Sequence, residues 1–126
     1  MVDTAERMLV CRVGRERFGL PVRAVREVVS ALPCTRIPGV SPLVRGLANV
    51  RGAIVTALSG PGLLGYPVGA PAAWLVVLTA RDGRVGIEVD EVEDLYAAGD
   101  SVDVPLLELD GLLEPLIGPE PDRSGT

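Results

Sequence analysis

The chain has 126 residues, 48% hydrophobic and 23% charged, with 15 Gly, 11 Pro and no His. That length suits one domain able to bury about two-thirds of its unfolded surface, and a mean hydropathy of +0.35 excludes a disordered segment. Without His, no Ser-His or Cys-His nucleophile, HExxH zinc site or His phosphorelay can be built, so no catalytic residue, metal or cofactor is expected.

All 12 basic residues are Arg, against 17 acids, for a net charge of −5. That balance argues against nucleic-acid binding, which relies on neutralising phosphates. The charge is uneven: residues 1–86 hold eleven Arg and five acids (+6), residues 87–126 one Arg and twelve acids (−11). Either both are solvated faces, or a positive surface in the first part meets an acidic partner. Asp3 and Glu6 stand where a signal peptide needs a basic start. The apolar stretch Pro71–Ala80 falls far short of the roughly 20 residues of a membrane span. A cytoplasmic protein without membrane insertion is expected. Cys11 and Cys34 share no CxxC motif and read as small packing residues.

In chain order, Met8–Val13 and Arg17–Val22 predict two strands joined by a turn at Gly14-Arg15-Glu16. Val22, Val25 and Val29 recur at helical spacing, which predicts about two helical turns over Val22–Val29. Pro33, Pro38 and Pro42 hold Leu32–Leu43 as an irregular crossing. Ala53–Leu58 predicts a strand, Gly60–Pro71 a loop, and Ala73–Ala80 an apolar strand. Arg81-Asp82-Gly83-Arg84 is a hairpin turn of the Asp-Gly kind. In Val85–Val92, Val85, Ile87 and Val89 alternate with Gly86, Glu88 and Asp90, which reads as a half-buried strand with Glu88 and Asp90 outward. The leucines of Leu106–Ile117 allow a short helical turn or two, docked on the barrel because so much apolar surface favours packing. Residues 1–7 and 119–126 are expected to be tails around one domain at 8–118, the last of them disordered. Many short strands with frequent turn signals predict an all-β barrel or sandwich.

Three motifs compete for function. Gly60-Pro61-Gly62-Leu63-Leu64-Gly65 matches a dinucleotide fingerprint, but Pro67 and Pro71 stop the helix that would face a pyrophosphate. A small ligand- or nucleotide-binding barrel using Gly60–Gly65 is the alternative of another class. The acids Glu88, Asp90, Glu91, Glu93 and Asp94 lack the spacing of a calcium loop and read as a solvated strand edge. Arg51, flanked by Val50 and Ala53, would have little water nearby in a central strand. It therefore calls for a carboxylate, and Glu27 is the acid inside an apolar segment.

The blocks Leu9-Val10-Cys11-Arg12-Val13, Phe18-Gly19-Leu20-Pro21-Val22, Val25-Arg26-Glu27-Val28, Thr35-Arg36-Ile37-Pro38, Val44 to Gly52 and Val85 to Val92 resemble the CheW-like domain of bacterial chemosensory arrays. Asn49-Val50-Arg51-Gly52 is the most specific of them. The resemblance implies a mainly β fold of two intertwined five-stranded SH3-like barrels with short helical turns, and no catalysis. It implies a receptor-binding surface at Val25, Glu27, Val28, Arg51 and Ile54, set against the cytoplasmic tip of a chemoreceptor. Further implied partners are the regulatory domain of the CheA-type histidine kinase and other CheW-like proteins. Two departures stand out. Ser59 and Gly60 occupy the place of the usual Asp-Leu, and the family's last hairpin and C-terminal helix look reduced to Leu106–Ile117. The expected function is a receptor-binding adaptor with weakened or absent kinase coupling, recruited to arrays; ordinary receptor–kinase coupling is the alternative.

Overall fold

A computed structural model describes residues 7–68, 72–97 and 104–117. Strands β1 (Arg7–Val13) and β2 (Glu16–Pro21) form the expected hairpin, in register from Met8 opposite Pro21 to Val13 opposite Glu16. After a single 3-10 turn at Val22–Ala24 comes strand β3 (Val25–Ser30), where helical turns were expected. The valine spacing that suggested a helix belongs to a β-branched run, and pairing with a neighbouring strand overrides the short 3.6-residue period.

Leu32–Leu43 is the irregular crossing expected, and Thr35 exchanges two backbone hydrogen bonds with Leu47. Gly46 makes that approach possible: a Cβ there would sit 2.4 Å from the Thr35 carbonyl oxygen. Strands β4 (Val44–Val50) and β5 (Ala53–Ser59) form a second hairpin. A four-residue helix at Gly60–Leu63 follows, capped by Ser59, whose hydroxyl accepts the Gly62 N–H at 3.0 Å. Strands β6 (Trp74–Leu78) and β7 (Val85–Val89) are joined by the predicted turn, with Arg81 and Asp82 left-handed.

The strand expected over Val85–Val92 is two strands. The chain leaves one sheet at Asp90 and enters the other as β8 (Glu91–Ala97). Asp90 anchors the crossover: its N–H donates to the Arg12 carbonyl at 2.9 Å, and its carboxylate accepts the Gly14 N–H at 2.6 Å.

The result is one sheet ordered β2-β1-β8 and one ordered β3-β6-β7-β5-β4, antiparallel except for β5 beside β7. The fold is mainly β with two sheets and small helices, as expected for its class. Among the described residues the five-stranded sheet is complete and the other has three strands. The main core, with Leu9, Cys11, Phe18 and Leu20 from one sheet and Leu58, Val76, Leu78 and Ile87 from the other, seals the two together. A second cluster (Val50, Val55, Ala57, Leu75 and Val77) is covered by Leu32 and Cys34 of the crossing segment.

A C-terminal helix spans Leu109–Ile117, within the segment Leu106–Ile117 where a short helical turn or two was expected. Leu109, Leu113 and Leu116 recur along one stripe, and Leu113 is buried in the main core. Ahead of it, residues 105–107 lie parallel to β2: the Gly19 N–H donates to the Pro105 carbonyl and the Leu107 N–H to the Gly19 carbonyl. The segment thus docks on its own domain, as expected, although the Leu106 side chain itself is exposed. The tails expected at 1–7 and 119–126 lie outside the described residues, apart from Arg7, which opens β1.

Candidate functional site

The β4–β5 hairpin closes through a two-residue turn at Arg51-Gly52, with φ of +50° and +90°. Two left-handed residues in a row are the signature of a type I′ turn, whose twist matches that of its strands. Asn49 supports it by accepting the Gly52 N–H at 2.8 Å. On β3, pairing slips between Val25 (opposite Leu78) and Glu27 (opposite Val77), so a bulge at Arg26 turns the strand. These two irregularities bring Glu27 and Arg51 together, and the Arg51 Nη2 donates to the Glu27 Oε1.

The pair expected from sequence therefore forms, but not in a dry interior. The Arg51 side chain is 72% exposed and that of Glu27 26%. Arg51 lies at a turn tip rather than inside a strand, which is why water reaches it. An ion pair so exposed contributes well under about 1 kcal/mol to folding.

The other three expected residues divide. Val25 and Val28 are half-buried against the main core, on the face away from Glu27. Ile54 is exposed just beyond the turn. The structure brings Glu27 and Arg51 into contact and leaves Val25, Val28 and Ile54 around them without a shared contact of their own.

Glu88 overturns its sequence reading. It lies on β7, whose five residues are all buried, and its carboxylate is 4% exposed. Arg45 on β4, 17% exposed, reaches it at 3.1 Å. Alternation placed Glu88 outward because it took one face of β7 for solvent. That strand is central, so both faces are covered. The remaining acids fit the solvated reading better: Glu91 pairs with Arg12 at 3.0 Å and Glu93 with Arg17 at 2.8 Å, across three strands of the smaller sheet. The Asp94 side chain lies outside the described residues.

At the Gly60–Gly65 motif, Gly60 and Gly62 are buried. A Cβ on Gly60 would lie 2.2 Å from the Glu88 carbonyl oxygen, so that glycine serves backbone packing. The helix it opens ends within four residues. Burial pushes the Cys11 thiol up to about 12, with Glu93 adding to the shift. Cys34 is also raised, by burial first and then by Glu88, with Arg45 opposing. Among the described residues no three His, Cys, Asp or Glu side chains converge as a metal site, and no helix is long and apolar enough to cross a membrane.

Two sheets sealed by an apolar seam, with a charged pair at an exposed turn, define a small two-sheet β domain. The chain belongs to the CheW-like domain family, whose model matches residues 7–113. A probable chemotaxis protein CheW of Rhizobium etli is 29% identical over 109 residues, covering 85% of this chain and 70% of the relative. The chemotaxis protein CheW of Bacillus subtilis is 28% identical over 102 residues, covering 79% and 65%. Protein PilI of Pseudomonas aeruginosa is 32% identical over 109 residues, covering 84% and 61%. The chain thus spans about two-thirds of the length of these relatives. The crystal structure of the scaffolding protein TtCheW from Thermoanaerobacter tengcongensis shares the fold, with a TM-score of 0.68 at 21% identity over 76% of this chain and 67% of that one.

Proposed function

We propose that this chain is a non-enzymatic chemosensory adaptor in the cytoplasm, recruited to receptor arrays, that binds a chemoreceptor tip around Glu27 and Arg51. The observation that carries the reading is the placement of Arg51. A left-handed backbone costs a residue with a Cβ about 1–2 kcal/mol, and Asn or Gly would relax it. The weak pair with Glu27 does not repay that cost in folding energy. A guanidinium held at an exposed tip by a carboxylate is instead positioned for a partner. Ile54 adds exposed apolar surface beside it, and Val25 and Val28 fix the bulged strand that aims Glu27.

The second half of the proposal is weak or absent coupling to the histidine kinase. It is supported by residues 105–107, which lie along β2 and cover that edge of the smaller sheet. Ordinary coupling is the alternative, and the presence of the C-terminal helix favours it. The chain is further proposed to be similar to the second CheW-like adaptor of the Frz gliding-motility pathway. Titrating wild type and Arg51→Ala with a receptor-tip fragment tests the site. Loss of about 1–3 kcal/mol of binding with an unchanged melt supports it; unchanged affinity removes Arg51 from the surface.

A further inference from the structure

The end of the five-stranded sheet that carries Glu27 and Arg51 holds more charge than their pair uses. A cleft of about 380 Å³ opens there, with Val50, Val55 and Val77 at its floor and Arg26, Arg51 and Arg84 on its rim. Glu27 and Asp82 share the rim, and Glu27 is already engaged by Arg51. Two turns build this rim. One is Arg51-Gly52; the other is Arg81-Asp82-Gly83, with φ of +56°, +61° and +76°. The Arg26 side chain lies over Gly83, where a Cβ would come within 2.4 Å of its Nη1, and its guanidinium donates to the Asp82 carbonyl at 3.5 Å.

Arg26, Arg51 and Arg84 are all exposed, and Arg23 is exposed one turn before β3. They belong to the first part of the chain, residues 1–86, whose balance is +6. Three guanidinium groups against the carboxylates of Glu27 and Asp82 leave the rim with a balance of +1, which favours an approaching anion. Guanidinium groups on a cleft rim suit a carboxylate, since Arg binds carboxylates in bidentate geometry.

We propose that this cleft recognises acidic side chains: the helix that meets Glu27 and Arg51 presents Asp or Glu to Arg26 and Arg84. This rests on the receptor-tip reading above and specifies the chemistry of the partner. It also gives the +6 balance of residues 1–86 a location on the surface.

The test titrates the full chain with a purified helical-hairpin fragment of a chemoreceptor tip from the same genome, and with that fragment after its exposed Asp and Glu are changed to Asn and Gln. The proteins are wild type, Arg26→Glu with Arg84→Glu, Arg51→Ala, and Arg36→Glu, which changes a residue lining a different cavity. Urea melts check folding, and Arg26→Gln with Arg84→Gln replaces the double reversal if that fails to fold. The proposal expects the double variant to bind the natural fragment at least tenfold more weakly, mostly through the on-rate and with a flatter salt dependence. Arg36→Glu stays within twofold, and the neutralised fragment no longer distinguishes wild type from the double variant. If the double variant binds within twofold while Arg51→Ala still loses affinity, the acidic contact is wrong and the receptor reading stands. No binding by wild type overturns both. Binding of wild type to phosphatidylserine vesicles, lost in the double variant and without fragment binding, overturns the proposal in favour of a membrane surface.

Discussion

Arg45 and Glu88 sit where the cost of burying charge is greatest, and each makes the other tolerable. Taking a carboxylate from water costs several kcal/mol, offset only while its partner stays in place. Arg45→Met strands the Glu88 carboxylate and should lower unfolding free energy by about 3 kcal/mol, read from urea midpoints. Arg45→Met combined with Glu88→Leu should recover most of that loss, because an apolar pair needs no compensation. Cys11 gives a pH signature. Its folded pKa of about 12 lies above the ordinary thiol value of 9.0, so the unfolded thiol ionises first as pH rises. The thiol's stabilising contribution is intact below pH 9 and is lost across the window from 9 to about 12, at a slope of about 1.4 kcal/mol per pH unit. Cys11→Ala should flatten that slope in melts taken from pH 8.5 to 10.5.

Among the elements, the C-terminal helix and the Arg51-Gly52 turn carry separate burdens, one of stability and one of contact. Leu113 fills the main core, so Leu113→Ala should cost about 2–4 kcal/mol, whereas Leu106→Ala, at an exposed position, should stay within about 0.5 kcal/mol. Arg51→Asn should leave the turn as stable or more stable, by up to about 1 kcal/mol, while still weakening receptor-tip binding. A gain of stability with a loss of binding in one variant identifies the tip as a contact residue. These elements also show what a sequence carries. The β1–β2 hairpin and the Asp-Gly turn were legible because Gly placement and β-branched runs act locally. The Glu27–Arg51 pair was legible through residue type and its family block, but its exposure was not, since that depends on the turn's place in the sheet. β3 and Glu88 escaped the sequence for two reasons: a valine run fits a strand as well as a helical period, and alternation cannot reveal that β7 is central. The crossover at Asp90 was hidden because no Gly or Pro marks the junction.

The whole molecule pairs a complete five-stranded sheet, with the charged cleft at its end, to a smaller sheet whose exposed side is laced by Arg12–Glu91 and Arg17–Glu93 pairs. The proposed receptor contact lies on the first of these sheets. Calorimetry with the receptor-tip fragment and the kinase regulatory domain as separate titrants tests this most directly. The account predicts measurable binding of the tip that Arg51→Ala weakens, and no submicromolar binding of the kinase domain. A submicromolar kinase complex without a second adaptor, or a receptor tip that binds wild type and Arg51→Ala alike, contradicts it.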